Sequence, residues 1–101
     1  MKFSKPTKIV SKKIRKSAKD EHCTIRSSIQ CAYEDTVVFA HLNSNNKGMG
    51  NKSPDLFGVY SCSHCHSELD SGNVSSKDQL RALQETQLKL YEKGLIKVDG
   101  A

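Results

Sequence analysis

Tryptophan is missing from these 101 residues, aromatic side chains make up only 6% and hydrophobic residues 36%. That is little apolar material for a core, so a chain the length of one domain needs a further source of stability. No stretch approaches the roughly 20 apolar residues of a membrane helix. The lysine-rich beginning is not followed by the apolar segment of a secretory signal. These absences argue against a membrane span and an oxidising compartment, and lead to the expectation of a cytoplasmic protein. Internal repeats are also missing, which excludes a repeat architecture.

What the chain does have is four cysteines, Cys23, Cys31, Cys62 and Cys65. In a reducing compartment such thiols are better explained as zinc ligands than as disulfide halves. Cys62-x-x-Cys65 is the strongest local signal, because two thiolates three positions apart on a turn can share one zinc. Cys23 and Cys31, with seven residues between them, complete a tetrahedral four-thiolate set. Such an ion is structural: with four thiolates it keeps no open position for water, so any catalysis needs other residues and a second ion. A redox Cys-x-x-Cys is the competing reading, but no thioredoxin-like βαβ pattern surrounds it.

The net charge of +5 is unevenly placed: eight Lys/Arg fall in residues 1–20, against Asp20 alone, and the remainder holds eight basic and ten acidic residues. A basic segment on a near-neutral body suits a polyanion such as DNA, because each neutralised phosphate releases counterions. A solvated tail is the plainer alternative.

Residues 1–10 carry Pro6 and lysines without periodicity and read as a flexible basic arm, leaving residues 11–101 as a single domain. Ser11 can cap a short basic helix whose Ile14 and Ala18 share one face. Thr36–Leu42 is β-branched and apolar, the best strand signal, with His41 at its downstream end. Residues 43–55, rich in Asn and Gly, read as a long loop, and long loops in small domains are usually functional. Leu56–Ser61 reads as a second strand with a bulge at Gly58. The cysteine pair then occupies a tight turn, with His66 at the start of a short helix ending near Gly72. Ser76 and Gln79 resemble a capping box for a last helix whose Leu80, Leu83, Leu90 and Tyr91 share a face, stopped by Lys93-Gly94. An imidazole, with a pKa near 6.5 in water, suits both a general base and a metal ligand. His41 and His66 are therefore candidates, while His22 and His64 keep the reading of ordinary surface residues.

Together, Cys23…Cys31, Ala40-His41-Leu42, Gly48-x-Gly50, Ser53-Pro54-Asp55-Leu56 and Cys62-x-x-Cys65-His66-x-x-Leu69-Asp70 resemble the YbcO-like family of small prophage-encoded nucleases. That family in turn resembles zinc-bearing HNH endonucleases and the RecA-dependent phage nuclease Ref. The likeness runs from about Lys12 to Val98, including Thr86-Gln87 and the Lys93–Lys97 ending. It implies an α+β fold: a small zinc-stabilised ββα-metal (HNH-like) domain with added N- and C-terminal helices. By similarity His41 is the general base, Asp55 orients it or lies near the metal, and His66 binds a catalytic Mg²⁺ or Mn²⁺. The implied activity is metal-dependent hydrolysis of DNA in phage recombination or DNA processing, with a recombinase filament as a further partner.

One departure from the general pattern stands out. Many HNH enzymes carry an acidic residue or a second His immediately before the base, whereas this chain has Ala40. Asp55, Asp70 or one of Asn43, Asn45 and Asn46 would have to serve instead. Lys12, Lys13, Arg15, Lys16, Lys47 and Lys52 are the expected phosphate contacts. The competing function is a non-catalytic zinc module that binds DNA or a recombination partner. A thiol-disulfide protein is a third reading.

Overall fold

The computed structural model describes residues 9–26, 31, 34–42 and 54–100. They form three helices and a two-stranded antiparallel sheet in an α+β arrangement: α1 (Lys12–Lys16), β1 (Val38–His41), β2 (Gly58–Ser61), α2 (Ser63–Asp70) and α3 (Ser76–Glu92). Both strands are shorter than the sequence pattern predicts, because Glu34–Thr36 and Asp55–Phe57 wind into 3-10 turns ahead of them. Residues 43–53 of the expected 43–55 loop, the Gly48-x-Gly50 motif among them, lie outside the described residues.

The register pairs Val38 with Ser61, Phe39 with Tyr60, Ala40 with Val59 and His41 with Gly58. Alternation along a strand therefore puts Phe39, His41 and Tyr60 on one face and Val38, Ala40 and Val59 on the other. Glycine at 58 has a steric cause rather than a bulge: an added Cβ would sit 2.2 Å from ring carbons of Phe39, which lies across it. The same phenyl ring meets the His41 imidazole edge-on at 5.3 Å between centroids. Gly58 thus gives Phe39 the room it needs to buttress His41.

Ser11 caps α1 as expected, its hydroxyl accepting from the Ile14 N–H, and Ile14 and Ala18 are buried beneath the helix. The C-terminal end of this segment is tied to the sheet by a 2.7 Å hydrogen bond between the Ser17 and Tyr60 hydroxyls. Cys62 is the N-cap of α2, so Cys65 lies inside that helix rather than on a preceding turn, and His66 lies in the helix as expected.

The last helix differs from expectation on two points. Ser75, not Ser76, is the N-cap, accepting from the Asp78 N–H, while Gln79 donates to the Val74 carbonyl. The buried face is Ala82, Thr86 and Leu90, with Leu83 partly buried; Leu80 and Tyr91 are 56% and 46% exposed. Leucine spacing alone misled because the contact with β2 is partly polar. Thr86 Oγ1 lies 3.2 Å from the Thr24 hydroxyl and accepts from the Tyr60 N–H at 3.3 Å. Thr24 in turn donates its N–H and its hydroxyl to the Tyr60 carbonyl at 2.7 and 2.9 Å. The Lys93-Gly94 stop holds: Gly94 takes a positive φ of 76°, and Leu95 N–H reaches back to the Leu90 carbonyl, as in a Schellman ending.

Replacing Thr86 with the similarly shaped Val removes the hydroxyl from this buried polar knot. The expected loss is about 1–3 kcal/mol of stability, the usual cost of leaving buried hydrogen-bonding groups without a partner. Urea unfolding of the two proteins measures it; an unchanged midpoint would contradict the role given to Thr86.

Candidate functional site

Asp55 has no solvent exposure, yet it carries a carboxylate. Burial of an unpaired charge is costly, so its partners decide whether it stays ionised. The Ser11 N–H donates to Oδ2 at 2.7 Å, and Arg15 Nε reaches Oδ2 at 3.0 Å and Oδ1 at 3.2 Å. His41 Nε2 lies 2.6 Å from Oδ1. The Asp55 backbone is anchored too, its N–H donating to the Ile9 carbonyl at 2.8 Å.

Burial by itself would push the Asp55 carboxyl upward. The Ser11 N–H, the His41 hydrogen bond and the Arg15 guanidinium together outweigh it and hold the carboxyl below its ordinary value. The stabilisation that follows is fully present above the ordinary carboxylate range and is lost as pH falls through the lowered value. An ionised carboxylate can only accept, so it fixes the His41 proton on Nε2 and leaves the lone pair of the neutral ring on Nδ1. His41 is 30% exposed, so this oriented imidazole reaches solvent.

The four cysteine sulfurs lie within 4.8 Å of one another; Cys23, Cys62 and Cys65 are buried and Cys31 is exposed. Cys31 Sγ and Cys65 Sγ are 3.9 Å apart. A disulfide requires about 2.05 Å, whereas sulfurs at tetrahedral corners about 2.3 Å from a zinc ion stand roughly 3.8 Å apart. Cys62 Sγ also accepts the Cys65 N–H at 3.4 Å, directing a backbone dipole at a sulfur. Burial, followed by the neighbouring Cys23 and Cys65 sulfurs, pushes the Cys31 thiol above its ordinary value. A coordinating cation reverses that tendency, because a metal-bound thiol is deprotonated. The cluster can hold a metal such as zinc.

Several residues that arrange this cluster were not singled out from the sequence. Arg26, at a positive φ of 43°, donates to the Cys23 carbonyl and grips Glu85 of α3 with two bonds of 2.9 and 2.7 Å. Arg81, also on α3, donates to the carbonyls of Thr24 and Ile25. The segment leaving Cys23 is therefore held by α3. A threonine between Ala82 and Leu90 on one helical face was the one available hint.

His66 keeps 40% of its side chain exposed, with Nε2 3.7 Å from Asp70 Oδ2 one turn further along α2. Its neighbour His64 stands 3.8 Å from Glu68 in the same way. Among the described residues, the cysteines are the group of three or more His, Cys, Asp or Glu side chains close enough to hold an ion. His41 pairs with Gly58, while α2 starts beyond Ser61, three register steps or about 10 Å away along the hairpin. The structure thus joins His41 to Asp55 and gathers the four sulfurs at the other end. Ala40, preceding His41, is buried on the opposite face.

Lys12, Lys13 and Lys16 lie on α1, whereas Lys47 and Lys52 fall outside the described residues, as do Asn43, Asn45 and Asn46. Arg15 turns inward to Asp55. An open groove of about 420 Å³ runs between α1 and β1, lined by Arg15, Lys16, Lys19, Asp35, Val38 and Phe39 among others.

Comparison with known proteins bears on this arrangement. Residues 12–94 match the family model described as "Putative nuclease YbcO". The chain is 30% identical over 92 residues to "Putative nuclease YbcO" of Escherichia coli (strain K12), spanning 83% of this chain and 96% of that protein. The same figures hold for its counterpart in Enterobacteria phage 82. A solved structure described as "Structure of a putative bacteriophage protein from Escherichia coli str. K-12 substr. MG1655" superposes with a TM-score of 0.62. It is 29% identical and covers 81% of this chain and all of its own. The matched span takes in both strands, all three helices, the four cysteines and the His41–Asp55 pair, and the chain belongs to the YbcO nuclease family.

Proposed function

We propose that the protein is a metal-dependent endonuclease of the HNH-like, ββα-metal kind that hydrolyses DNA phosphodiester bonds. The observation that carries this reading is the His41–Asp55 pair: a solvent-reaching imidazole whose proton is fixed on Nε2 by a buried, fully partnered carboxylate. His41 Nδ1 takes the proton of the attacking water as general base. Asp55 stabilises the imidazolium that results, without itself accepting the proton.

His66, with Asp70 one turn away, is the proposed holder of a catalytic Mg²⁺ or Mn²⁺, which would have to reach the phosphate facing His41 from the helix that follows the far end of the hairpin. An imidazole and one carboxylate suit a weakly held ion that keeps several waters and borrows phosphate oxygens from the substrate. Bound there, the ion supplies polarisation of the scissile phosphate and stabilisation of charge on the leaving 3′-oxygen. The products are 5′-phosphate and 3′-hydroxyl ends. Lys12, Lys13 and Lys16 supply backbone contacts, as do Lys47 and Lys52 of the connecting loop. Contacts of this kind position DNA without reading its bases. The phage origin of one relative supports a role in phage or prophage DNA processing, and a cytoplasmic location with a recombinase filament as a further partner belongs to the same proposal.

Nicking of supercoiled plasmid with Mg²⁺ or Mn²⁺ tests the reading. His41→Ala should cut about 10²–10⁴-fold more slowly than wild type, the range a general base contributes. Equal cutting by both would place the activity elsewhere, and no cutting by either would favour a non-catalytic DNA-binding zinc module.

The four thiolates are proposed to hold a structural zinc. Metal analysis should give one zinc per chain, and chelation should abolish the cooperative thermal transition, because this small apolar core cannot hold the cysteine-bearing segments together alone. A chelated protein that melts as before would rule out a structural role for the ion.

A further inference from the structure

We infer that Arg15 is a positioning residue for the His41 base, acting through Asp55, rather than one more phosphate contact of the basic helix. The inference rests on the reading of His41 as general base. Its starting point is the difference between Arg15 and its neighbours on α1. Lys12, Lys13, Lys16 and Arg15 itself are all exposed on that helix, but Arg15 places Nε against both oxygens of a carboxylate with no exposure of its own.

Three groups hold that carboxylate: the Ser11 N–H and Arg15 from the α1 segment, and His41 from β1. Ser11 and Arg15 are one helical turn apart, so α1 docks on Asp55 as a unit, with the Ser17–Tyr60 hydrogen bond fixing its other end. Of these donors Arg15 brings a permanent positive charge, since a guanidinium is not deprotonated in proteins. Without it, a buried Asp55 would face His41 with only a backbone N–H to balance its charge. Either of two responses then removes the base: Asp55 takes up a proton, or His41 does. In both cases the neutral ring with its lone pair on Nδ1 becomes a minor form. Asp55, Arg15 and His41 are the charged or titratable groups of this cluster, so the effect of removing Arg15 is read on the other two.

Both of the Arg15 bonds come from one donor, Nε. Nε of a planar guanidinium sits between the two carboxylate oxygens, while the far end of the side chain, 42% exposed, borders the groove beside Lys16 and Lys19. A lysine supplies the charge on a flexible stem, without the planar group that reaches from Asp55 to the groove.

The test compares wild type, Arg15→Lys, Arg15→Gln and the control Lys16→Gln, all as zinc-loaded full-length chains. Steady-state cutting of an oligonucleotide duplex gives kcat and KM. Long-range ¹H–¹⁵N spectra of the ring nitrogens report the His41 tautomer independently of cutting. For Arg15→Gln, kcat should fall about 10–100-fold, by analogy with the partners that orient metal-ligating imidazoles, with KM changed less than about twofold. The acidic limb of its kcat/KM profile should move to higher pH, because Asp55 loses a group that favours its charged form. Arg15→Lys should recover part of kcat, and Lys16→Gln, which removes a proposed backbone contact, should raise KM. In the spectra, the Nε2–H pattern of wild type should weaken in Arg15→Gln. A rise in KM with unchanged kcat would make Arg15 a phosphate contact and overturn the inference. So would a kcat loss matched by loss of folded protein, with the pH profile unmoved. An intact Nε2–H pattern in Arg15→Gln overturns it even if wild type proves inactive, whereas equal cutting by wild type and His41→Ala removes the base reading itself.

Discussion

A single buried carboxylate sets the terms for one half of this molecule. Asp55 is taken out of water as an anion, and a buried charge is tolerated only when hydrogen bonds and opposite charge surround it. Its partners come from positions 11, 15 and 41, with its backbone tied to position 9. Satisfying that one side chain therefore docks α1, closes the chain before β2 and turns the His41 ring. The contacts that dock α1 are thus also the ones that orient the candidate base. Removing a partner leaves a buried charge less well balanced, which is costly.

The other half is organised by sulfur. Cys62 and Cys65 follow the end of β2 remote from His41, and Cys23 is delivered beside them by Thr24, which is hydrogen-bonded to Tyr60 and Thr86. In a chain so short of aromatic and aliphatic bulk, polar knots and a metal-capable cluster carry work that a larger domain leaves to its core. The short hairpin lies between the two centres and joins them. Phe39 is part of that connection: it lies over Gly58 and meets both His41 and Tyr60 edge-on.

Local features of the site were legible in the sequence. Cysteine spacing pointed to a four-sulfur cluster, β-branched runs to a hairpin, and Ser11 to the cap of α1, because each signal is written within a few neighbouring residues. Asp55 was marked as a partner of His41 only through a family resemblance. What stayed hidden depends on distant pairs. Nothing near Arg15 tells that its guanidinium turns toward a residue forty positions away instead of toward a phosphate. Leu90 is buried as its spacing predicts and Leu83 partly so, but Leu80 and Tyr91 are not, for a related reason: leucines mark apolar surface wherever they lie, while the face that packs is chosen by Thr86 answering Thr24 and Tyr60. The strands came out short because the residues leading into them wind into 3-10 turns, which apolar patterning does not distinguish from extended chain.

The most direct measurement is amide hydrogen exchange at Ser11. An N-cap N–H normally faces water and exchanges freely, since no intrahelical acceptor exists for it. If Asp55 is the buried anion that organises α1 and His41, the Ser11 amide should be protected to the same degree as the Asp55 amide that donates to Ile9. A Ser11 amide exchanging at the rate of unstructured chain would show that α1 is not docked on the carboxylate, and the account would fail at its foundation.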